Sequence, residues 1–338
     1  MKKYNVAIVG ATGLVGQELL DTLEKRQFPI ETLHLLASAK SAGQVLMFNQ
    51  KPVKVKELTE DSFENVDFAL FSAGSSISEK FAPIAAKAGA IAIDNTSFFR
   101  MKKDIPLIVP EVNGDAAKNH KGIIANPNCS TAQLVMALKP IHDEYTIERI
   151  VISTYQSVSG AGKEALQELE SHSRNNLAGK DMEPEVFPHS MSFNVIPQID
   201  VFLENGYTKE EMKMIEETKK ILDPTIQVTA TAVRVPVFIS HSEAVNIQTK
   251  KPMTTEKVKE ILDAFDGVTV LDDPASLTYP TPKEVAGKDD VYVGRIRKDI
   301  SKENAIDLWI VADNLKKGAA LNAVQIAEYV ANTTSSVH

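Results

Sequence analysis

The sequence predicts an α/β protein of two domains: a doubly wound parallel sheet, then an α+β domain whose sheet is mostly antiparallel. Three observations carry this. Strand and amphipathic-helix patterns alternate from residue 4 to about residue 125. A glycine turn joins the first strand to the first helix. From about residue 148 onward strands bunch together with fewer helices between them. At 338 residues the chain is long enough for two cores.

Tyr4-Asn5-Val6-Ala7-Ile8-Val9 reads as a buried parallel strand. Gly10-Ala11-Thr12-Gly13-Leu14-Val15-Gly16 follows, and Leu14, Val15, Leu19, Leu20 and Leu23 then recur at helical spacing. In that context Gly10 serves a tight turn. Gly13 lets backbone N–H groups approach a pyrophosphate, and Gly16 lets the helix pack closely on the strand. The pattern points to a Rossmann-type dinucleotide site; the alternative is a merely structural turn. The next strand, 32–36, ends in Ala37-Ser38-Ala39-Lys40-Ser41. An NAD enzyme usually places an acid here for the ribose 2′-hydroxyl, and none is present. Ser38, Lys40 and Ser41 suit a 2′-phosphate, so NADP is the expected cofactor; the alternative is a solvated loop. Strand 66–71 closes in Ser72-Ala73-Gly74-Ser75-Ser76, a small polar loop at the carboxyl edge of the sheet beside the cofactor. A helix over about 77–88 and strands over 90–94 and 122–125 complete the alternation.

The lone cysteine then appears in Asn126-Pro127-Asn128-Cys129-Ser130-Thr131, ahead of the apolar helical pattern Leu134, Val135, Leu138. A thiol at a helix N-terminus sits in partial positive charge, which favours a reactive thiolate. The alternative is a buried cysteine packing as a small hydrophobe. Beyond it, strands are expected at 148–155, 227–235, 245–249, 269–271, 291–297 and 306–311. Helices are expected at about 163–176, 209–222 and 255–265, the last with Thr254 as N-cap. A final amphipathic helix spans 318–332, and the tail from Thr333 reads as frayed. The domains are therefore 1–128, joined by a C-terminal helix over about 315–338, and 129–314. Trp309 and Phe98-Phe99 read as core, and the histidines other than His241 as structural or solvated.

The chain carries 37 Lys and Arg against 45 Asp and Glu, a net charge of −8, without a basic block, which speaks against a nucleic-acid partner. One cysteine excludes an intrachain disulfide and a cysteine-cluster metal site. No apolar run of membrane-spanning length and no signal-peptide pattern is present, so a cytoplasmic enzyme without membrane contact is expected.

The glycine turn, Asn126-Pro127-Asn128-Cys129-Ser130, Gln156-Ser157-Val158-Ser159-Gly160-Ala161-Gly162, Glu217-Thr218-Lys219-Lys220 and Arg234-Val235-Pro236-Val237-Phe238-Ile239-Ser240-His241-Ser242 together resemble the aspartate-β-semialdehyde dehydrogenases of the shorter bacterial type. The resemblance implies that Cys129 is the nucleophile, His241 the general acid/base, and Gln156 the residue orienting the acyl group. It implies that Arg234 takes the substrate α-carboxylate and Glu217 lies near its α-ammonium. Arg100, Asn128 and Lys220 match phosphate-binding groups; adjacent acids and lysines leave the Glu217/Lys220 register open to a slip. The expected cofactor contacts are Gly10, Thr12, Gly13, Leu14, Val15, Ser38, Lys40, Ser41, Ser72, Ala73 and Gly74, with Ser159, Gly160 and Asn314 from the second domain.

The implied reaction is reversible NADPH-dependent reduction of L-aspartyl-β-phosphate to L-aspartate-β-semialdehyde and phosphate through a Cys129 thioester. The implied setting is lysine, diaminopimelate, methionine, threonine and isoleucine biosynthesis. No metal is expected, and the family implies a homodimer through the β-rich face of the second domain. Taken singly, each role has a plainer competitor. His241 alone reads as a structural histidine, Arg100 as surface charge, Gln156 as a loop cap, and Arg234 as the partner of a structural carboxylate. N-acetyl-γ-glutamyl-phosphate reductase is the alternative enzyme, and a silent NADP-binding regulator the alternative outside enzymes.

Overall fold

The computed structural model describes residues 2–335. The chain forms two compact units. One runs up to Asn128 and resumes at Ala319; the other spans Cys129–Gly318.

The first unit is built on seven strands: β1 (Tyr4–Val9), β2 (Ile30–Ala37), β3 (Val45–Phe48), β4 (Lys51–Glu57), β5 (Phe68–Phe71), β6 (Ile91–Asp94) and β7 (Ile123–Ala125). Their order is β3-β4-β2-β1-β5-β6-β7. All pairings are parallel except β3 with β4. Val6, Ala7, Ile8 and Val9 are all buried, as a strand covered on both faces requires. Helices α1 (Leu14–Lys25) and α2 (Ser75–Lys87) follow β1 and β5, and a short α3 spans Pro110–Asn113. Because β2 and β5 flank β1 on opposite sides, the strand order reverses there. Open α/β sheets bind ligands at such a point.

The β3–β4 hairpin was not legible in the sequence. Its turn is Asn49-Gln50, both at positive φ (48° and 60°), the backbone usually signalled by Asn-Gly. The C-terminal helix, α9 (Leu321–Ser335), belongs to this unit. Val324, Ala327 and Val330 join Leu19, Leu23 and Ile124 in one core. Of the tail expected to fray from Thr333, residues 333–335 are helical and 336–338 lie outside the described residues.

The second unit opens with α4 (Cys129–Tyr145), β8 (Ile147–Gln156), α5 (Lys163–Leu177) and α6 (Lys209–Ile221). It continues through β9 (Gln227–Arg234), β10 (His241–Thr249), α7 (Thr255–Asp263), β11 (Val268–Val270), α8 (Pro282–Val285), β12 (Val291–Lys298) and β13 (Ala305–Ala312). The sheet order is β11-β12-β13-β10-β8-β9. The three central pairings are antiparallel and the two outermost parallel, so the sheet is mixed with an antiparallel centre. Strand β10 begins four residues before the expected position, because the polar run His241-Ser242-Glu243 is itself buried.

One face of this sheet is apolar and closed: Ile150, Ile152, Val245, Ile247, Leu308 and Ile310 are buried. Period-two alternation sends Trp309 to the other face. There it is half-buried rather than core, 5.4 Å from the Tyr155 ring, with Nε1 donating to the Pro280 carbonyl at 3.0 Å. Capping sets the helix starts. Thr254 Oγ1 accepts from the Lys257 N–H at α7, and Thr208 with Glu211 forms a capping box at α6.

Candidate active site

In the first unit the glycine loop is shaped for close backbone approach. Gly10 has φ +91°, and a Cβ there would lie 3.0 Å from the backbone of Ser72 and Ala73. A Cβ on Gly16 would lie 2.2 Å from the Gly10 carbonyl oxygen, so α1 packs directly on the loop. Gly13 and Gly74 precede α1 and α2, and neither helix start receives a side-chain cap. Two helix N-termini thus stand on either side of the switch point, a pairing suited to a pyrophosphate. The cleft beside them, about 410 Å³, is lined by Gly10, Thr12, Gly13, Ser38, Ser41, Ser72 and Ala73 among others. Leu14 and Val15 open α1, with Val15 packed toward the core, and Lys40 is exposed on the turn between Ser38 and Ser41. Pairing of β4 with β2 also brings Glu57 to the cleft beside Ala37. This acid was invisible in the sequence because it arrives from a different strand.

Arg100 is buried rather than part of a surface cluster. Its Nε donates to the Asn126 carbonyl at 2.9 Å and an NH2 donates to the Asn95 carbonyl at 2.8 Å. Carbonyls orient the guanidinium, and an oriented guanidinium suits an anion site. Asn126 is fixed in turn by Asn95 and Asn322, so the segment leading to buried Asn128 is rigidly held.

In the second unit Cys129 is the first residue of the 17-residue α4, with its side chain half-buried. A Cβ on Gly318 would come within 2.7 Å of the Cys129 Cβ, so only a glycine lets the chain pass there. Arg234 lies close enough to act electrostatically on Cys129. Gln156 and Arg234 are register partners on β8 and β9, and His241 lies in the same layer on β10. Arg234 is buried, and an NH1 donates to the Ser157 carbonyl at 2.7 Å. Burial lowers its pKa, opposed by Glu210 and Cys129. Gly160 presents bare backbone to this group: a Cβ there would lie 3.2 Å from Arg234 NH1 and 3.4 Å from His241 Nε2.

His241 is fully buried. Its Nδ1 accepts the Ser157 N–H at 3.1 Å, which places the proton of the neutral ring on Nε2. Burial first, then the Arg234 charge, lowers its pKa from 6.5 to about 3, with Glu210 and the Ser240 backbone opposing in part. Ser240 is held at φ +79°, an unusual backbone for a residue other than glycine. Asn314 secures it: Oδ1 accepts the Ser240 N–H at 2.9 Å and faces the Ser157 and Ser159 hydroxyls at 3.1 Å. Asn314 Nδ2 donates to Ser159 Oγ at 2.9 Å. Ser159 and Asn314, expected as cofactor contacts, are thus knotted into the loop that orients His241.

The acid that reaches this group is Glu210. Its carboxylate accepts from Gln156 Nε2 at 3.3 Å and from Lys213 Nζ at 3.1 Å, and it acts on both Arg234 and His241. Glu217 is buried two turns further along the same face of α6, beside Lys220, whose pKa burial lowers against the pull of Glu217. The structure therefore brings together Cys129, Gln156, Arg234 and His241 with Glu210 and Lys213, a pair absent from the expected set. Both pairs have the same i, i+3 spacing. The capping box at Thr208, which puts Glu210 in the first turn, was the signal that separated them. Among the described residues no cluster of three His, Cys, Asp or Glu side chains is arranged to hold a metal ion.

The comparisons with known proteins agree across both units. A model of the semialdehyde dehydrogenase NAD-binding domain matches residues 5–120, and one of the semialdehyde dehydrogenase dimerisation domain matches residues 138–317. Aspartate-semialdehyde dehydrogenase of Aquifex aeolicus is 53% identical over 330 residues, 96% of this chain and 97% of that protein. The Bacillus subtilis protein of the same name is 53% identical over 333 residues, 96% of each. The chain belongs to the aspartate-semialdehyde dehydrogenase family. The crystal structure of aspartate semialdehyde dehydrogenase II from Vibrio cholerae complexed with ASA has a TM-score of 0.96 to it. That chain is 51% identical, with 98% and 99% of the two chains covered. The Candida albicans enzyme with NADP matches with a TM-score of 0.78 at 25% identity, covering 97% and 98%.

As a member of the aspartate-semialdehyde dehydrogenase family, the chain is an oxidoreductase of amino-acid biosynthesis with a nucleotide-binding domain and a dimerisation domain. Neither the N-acetyl-γ-glutamyl-phosphate reductase reading nor the silent-regulator reading is favoured by these relatives.

Proposed function

We propose that the chain reduces L-aspartyl-β-phosphate to L-aspartate-β-semialdehyde and phosphate, reversibly and with NADPH, through a thioester on Cys129. The observation that carries this is a half-buried thiol at the start of a long helix, acting on Arg234, in one unit with Gln156, Glu210 and His241. The helix N-terminus and the guanidinium both supply positive potential at the sulfur. In the reductive direction Cys129 attacks the acyl carbon and phosphate leaves. Arg100, Asn128 and a lysine of α6 are the groups suited to the phosphate. Arg234 would take the substrate α-carboxylate and Glu210 its α-ammonium, with Gln156 orienting the acyl oxygen.

When bound, the nicotinamide supplies the hydride that reduces the thioester. His241 then meets the tetrahedral oxygen with a neutral Nε2–H, since Nδ1 is occupied by the Ser157 N–H. Collapse of that oxyanion expels the Cys129 thiolate and releases the aldehyde. Removing the proton from Nε2 is not required in this direction, so a donor role fits the tautomer better than a base role.

The cleft of the first unit fits a dinucleotide, with two uncapped helix starts and no room for a Cβ at Gly10. Ser38, Ser41 and Lys40 favour a 2′-phosphate, while Glu57 at the same cleft makes the NADP/NAD ratio a measurement of interest. A homodimer would form through the outer face of the second unit, where a cleft of about 470 Å³ is lined by Ser153, Ala244, Asn246, Tyr279, Arg297 and Trp309 among others. A cytoplasmic setting would keep the Cys129 thiol reduced. No helix among the described residues is long and apolar enough to cross a membrane.

Phosphate-dependent reduction of NADP⁺ by L-aspartate-β-semialdehyde tests the reading, run beside NAD⁺ and the N-acetylglutamyl semialdehyde. Activity is expected with the aspartyl substrate and NADP⁺, and Cys129→Ala is expected to lose it by roughly 10⁵-fold while still binding NADP(H). Near-normal turnover by that variant would end the thioester mechanism.

A further inference from the structure

The proposed chemistry makes no use of the buried acid Glu243. Glu243 lies on β10, two residues after His241 and so on the same face of the sheet. It is wholly buried and stands opposite Thr154 on β8 and Ile310 on β13. The inner face is thus layered. Gln156, Arg234 and His241 form one row, and Thr154, Ala232, Glu243 and Ile310 form the row beneath.

Above Glu243 sits Gln133 of α4, one helical turn after Cys129 and on the same side of that helix. Gln133 Nε2 reaches the main-chain carbonyl of His241 at 3.4 Å. Gln133 Oε1 and both carboxyl oxygens of Glu243 are buried without a hydrogen-bond partner among the described residues. Unpaired buried acceptors are costly, and a proton on one Glu243 oxygen pairs it with Gln133 Oε1. A carboxylic acid has that proton, and a carboxylate does not.

The surroundings favour the acid. The titratable groups carried by the packed elements include Cys129 on α4, His241 on β10, Arg234 on β9, and Glu210, Glu211 and Glu217 on α6 with Lys213 and Lys220 beside them. Thr154 and Ile310 bring no charge from β8 and β13. Burial raises the Glu243 pKa well above its usual value, opposed only by the Gln133 amide, with no cation contributing.

We propose that Glu243 is a positioning residue: its carboxyl O–H, given to the Gln133 side-chain carbonyl, locks the strand carrying His241 onto the helix carrying Cys129. Gln133 is then satisfied at both ends, accepting from Glu243 and donating to the His241 carbonyl. The clamp ties one turn of α4 to the first residue pair of β10, and so sets the separation of thiol and imidazole. No bond to substrate is involved, and no proton is exchanged during turnover. The inference rests on Cys129 and His241 acting as proposed above.

Glu243→Gln keeps a neutral donor of the same size, and Glu243→Leu removes it at similar volume. The Gln variant is expected to keep kcat within about threefold with an unchanged pH profile. The Leu variant is expected to lose kcat about tenfold or more, with KM for semialdehyde and NADP⁺ within about twofold. Alkylation of Cys129 by iodoacetamide, read without any substrate, is expected to slow by a similar factor. Gln133→Met, which removes the acceptor instead, is expected to reproduce the Leu pattern and decides the matter if Glu243→Leu does not fold. The proposal is overturned if Glu243→Gln falls as far as Glu243→Leu, which would assign the role to the acid itself. It is equally overturned if the Leu or Met variant keeps wild-type kcat and alkylation. Failure of the thioester reading shows separately, as absence of an acyl adduct on Cys129 in the unaltered enzyme.

Discussion

Glu210 and Glu217 are the same residue type on the same face of one helix, seven positions apart. Seven residues are about 10.5 Å along a helix axis, enough to carry a carboxylate away from Gln156 and Arg234. Glu210 meets Gln156, and it also acts on Arg234 and His241. Glu210→Gln is therefore expected to raise KM for the semialdehyde about tenfold, whereas Glu217→Gln holds KM within about twofold. Steady-state kinetics on folded variants decide between the two pairs, and the reverse ranking would restore the Glu217/Lys220 assignment.

His241 carries a second residue-scale consequence. The folded protein holds its pKa at about 3 against an ordinary 6.5. Below about pH 6.5 the unfolded chain accepts a proton that the folded chain refuses. Stability tied to the neutral ring is thus whole above that pH and drains as pH falls toward 3. His241→Asn cannot titrate there. Urea denaturation from pH 7 to pH 4 is expected to show the unaltered protein losing stability faster than the variant, and parallel curves would contradict the assignment.

At the scale of elements, the start of α4 is the part most tightly specified by its neighbours. Gly318 passes so close to Cys129 that an alanine would overlap it, with Cβ atoms 2.7 Å apart. Gly318→Ala is expected to push the first turn of α4 outward and lower kcat at least about tenfold, since misplacing a reactive group by an ångström has that scale of effect. NADP(H) affinity measured by fluorescence titration is expected to change little, because the glycine loops of β1 and β5 are untouched. A variant with full kcat would show that α4 can yield there without cost. Strand β10 starts before its apolar pattern begins. His241-Ser242-Glu243 is polar in composition, yet all three side chains are buried, His241 and Glu243 on the inner face of the sheet and Ser242 on the other.

At the scale of the whole molecule, the outer face of the second unit is the feature that calls for a partner. Tyr155 and Trp309 pack there at a tilted angle on the centre of a sheet, beside a cleft that also holds Arg297 and Asp307. Aromatic residues on an open face mark an association surface more often than a core. Trp309→Glu replaces the indole on it with a charge. Sedimentation velocity at micromolar concentration is expected to show a dimer for the unaltered protein and a monomer for the variant. A dimer in both would move the interface elsewhere.

Much of this protein is local in origin and was readable before any tertiary structure. The strand–glycine–helix start, the helix behind Cys129 and the Thr254 cap follow from periodicity and turn chemistry, which act over a few residues. The polar motifs around Cys129, Gln156, Arg234 and His241 were visible as sequence too, although the strands that set them in one layer are far apart in the chain. Long-range pairing decided the rest. It brought Glu210 to Gln156, delivered Glu57 to the cofactor cleft, turned Trp309 outward and set Glu243 beneath His241. Periodicity tells which face a side chain takes, but two residues on one face look alike until another strand is laid against one of them. That choice depends on strand order and register, which the chain settles only when the whole sheet is assembled.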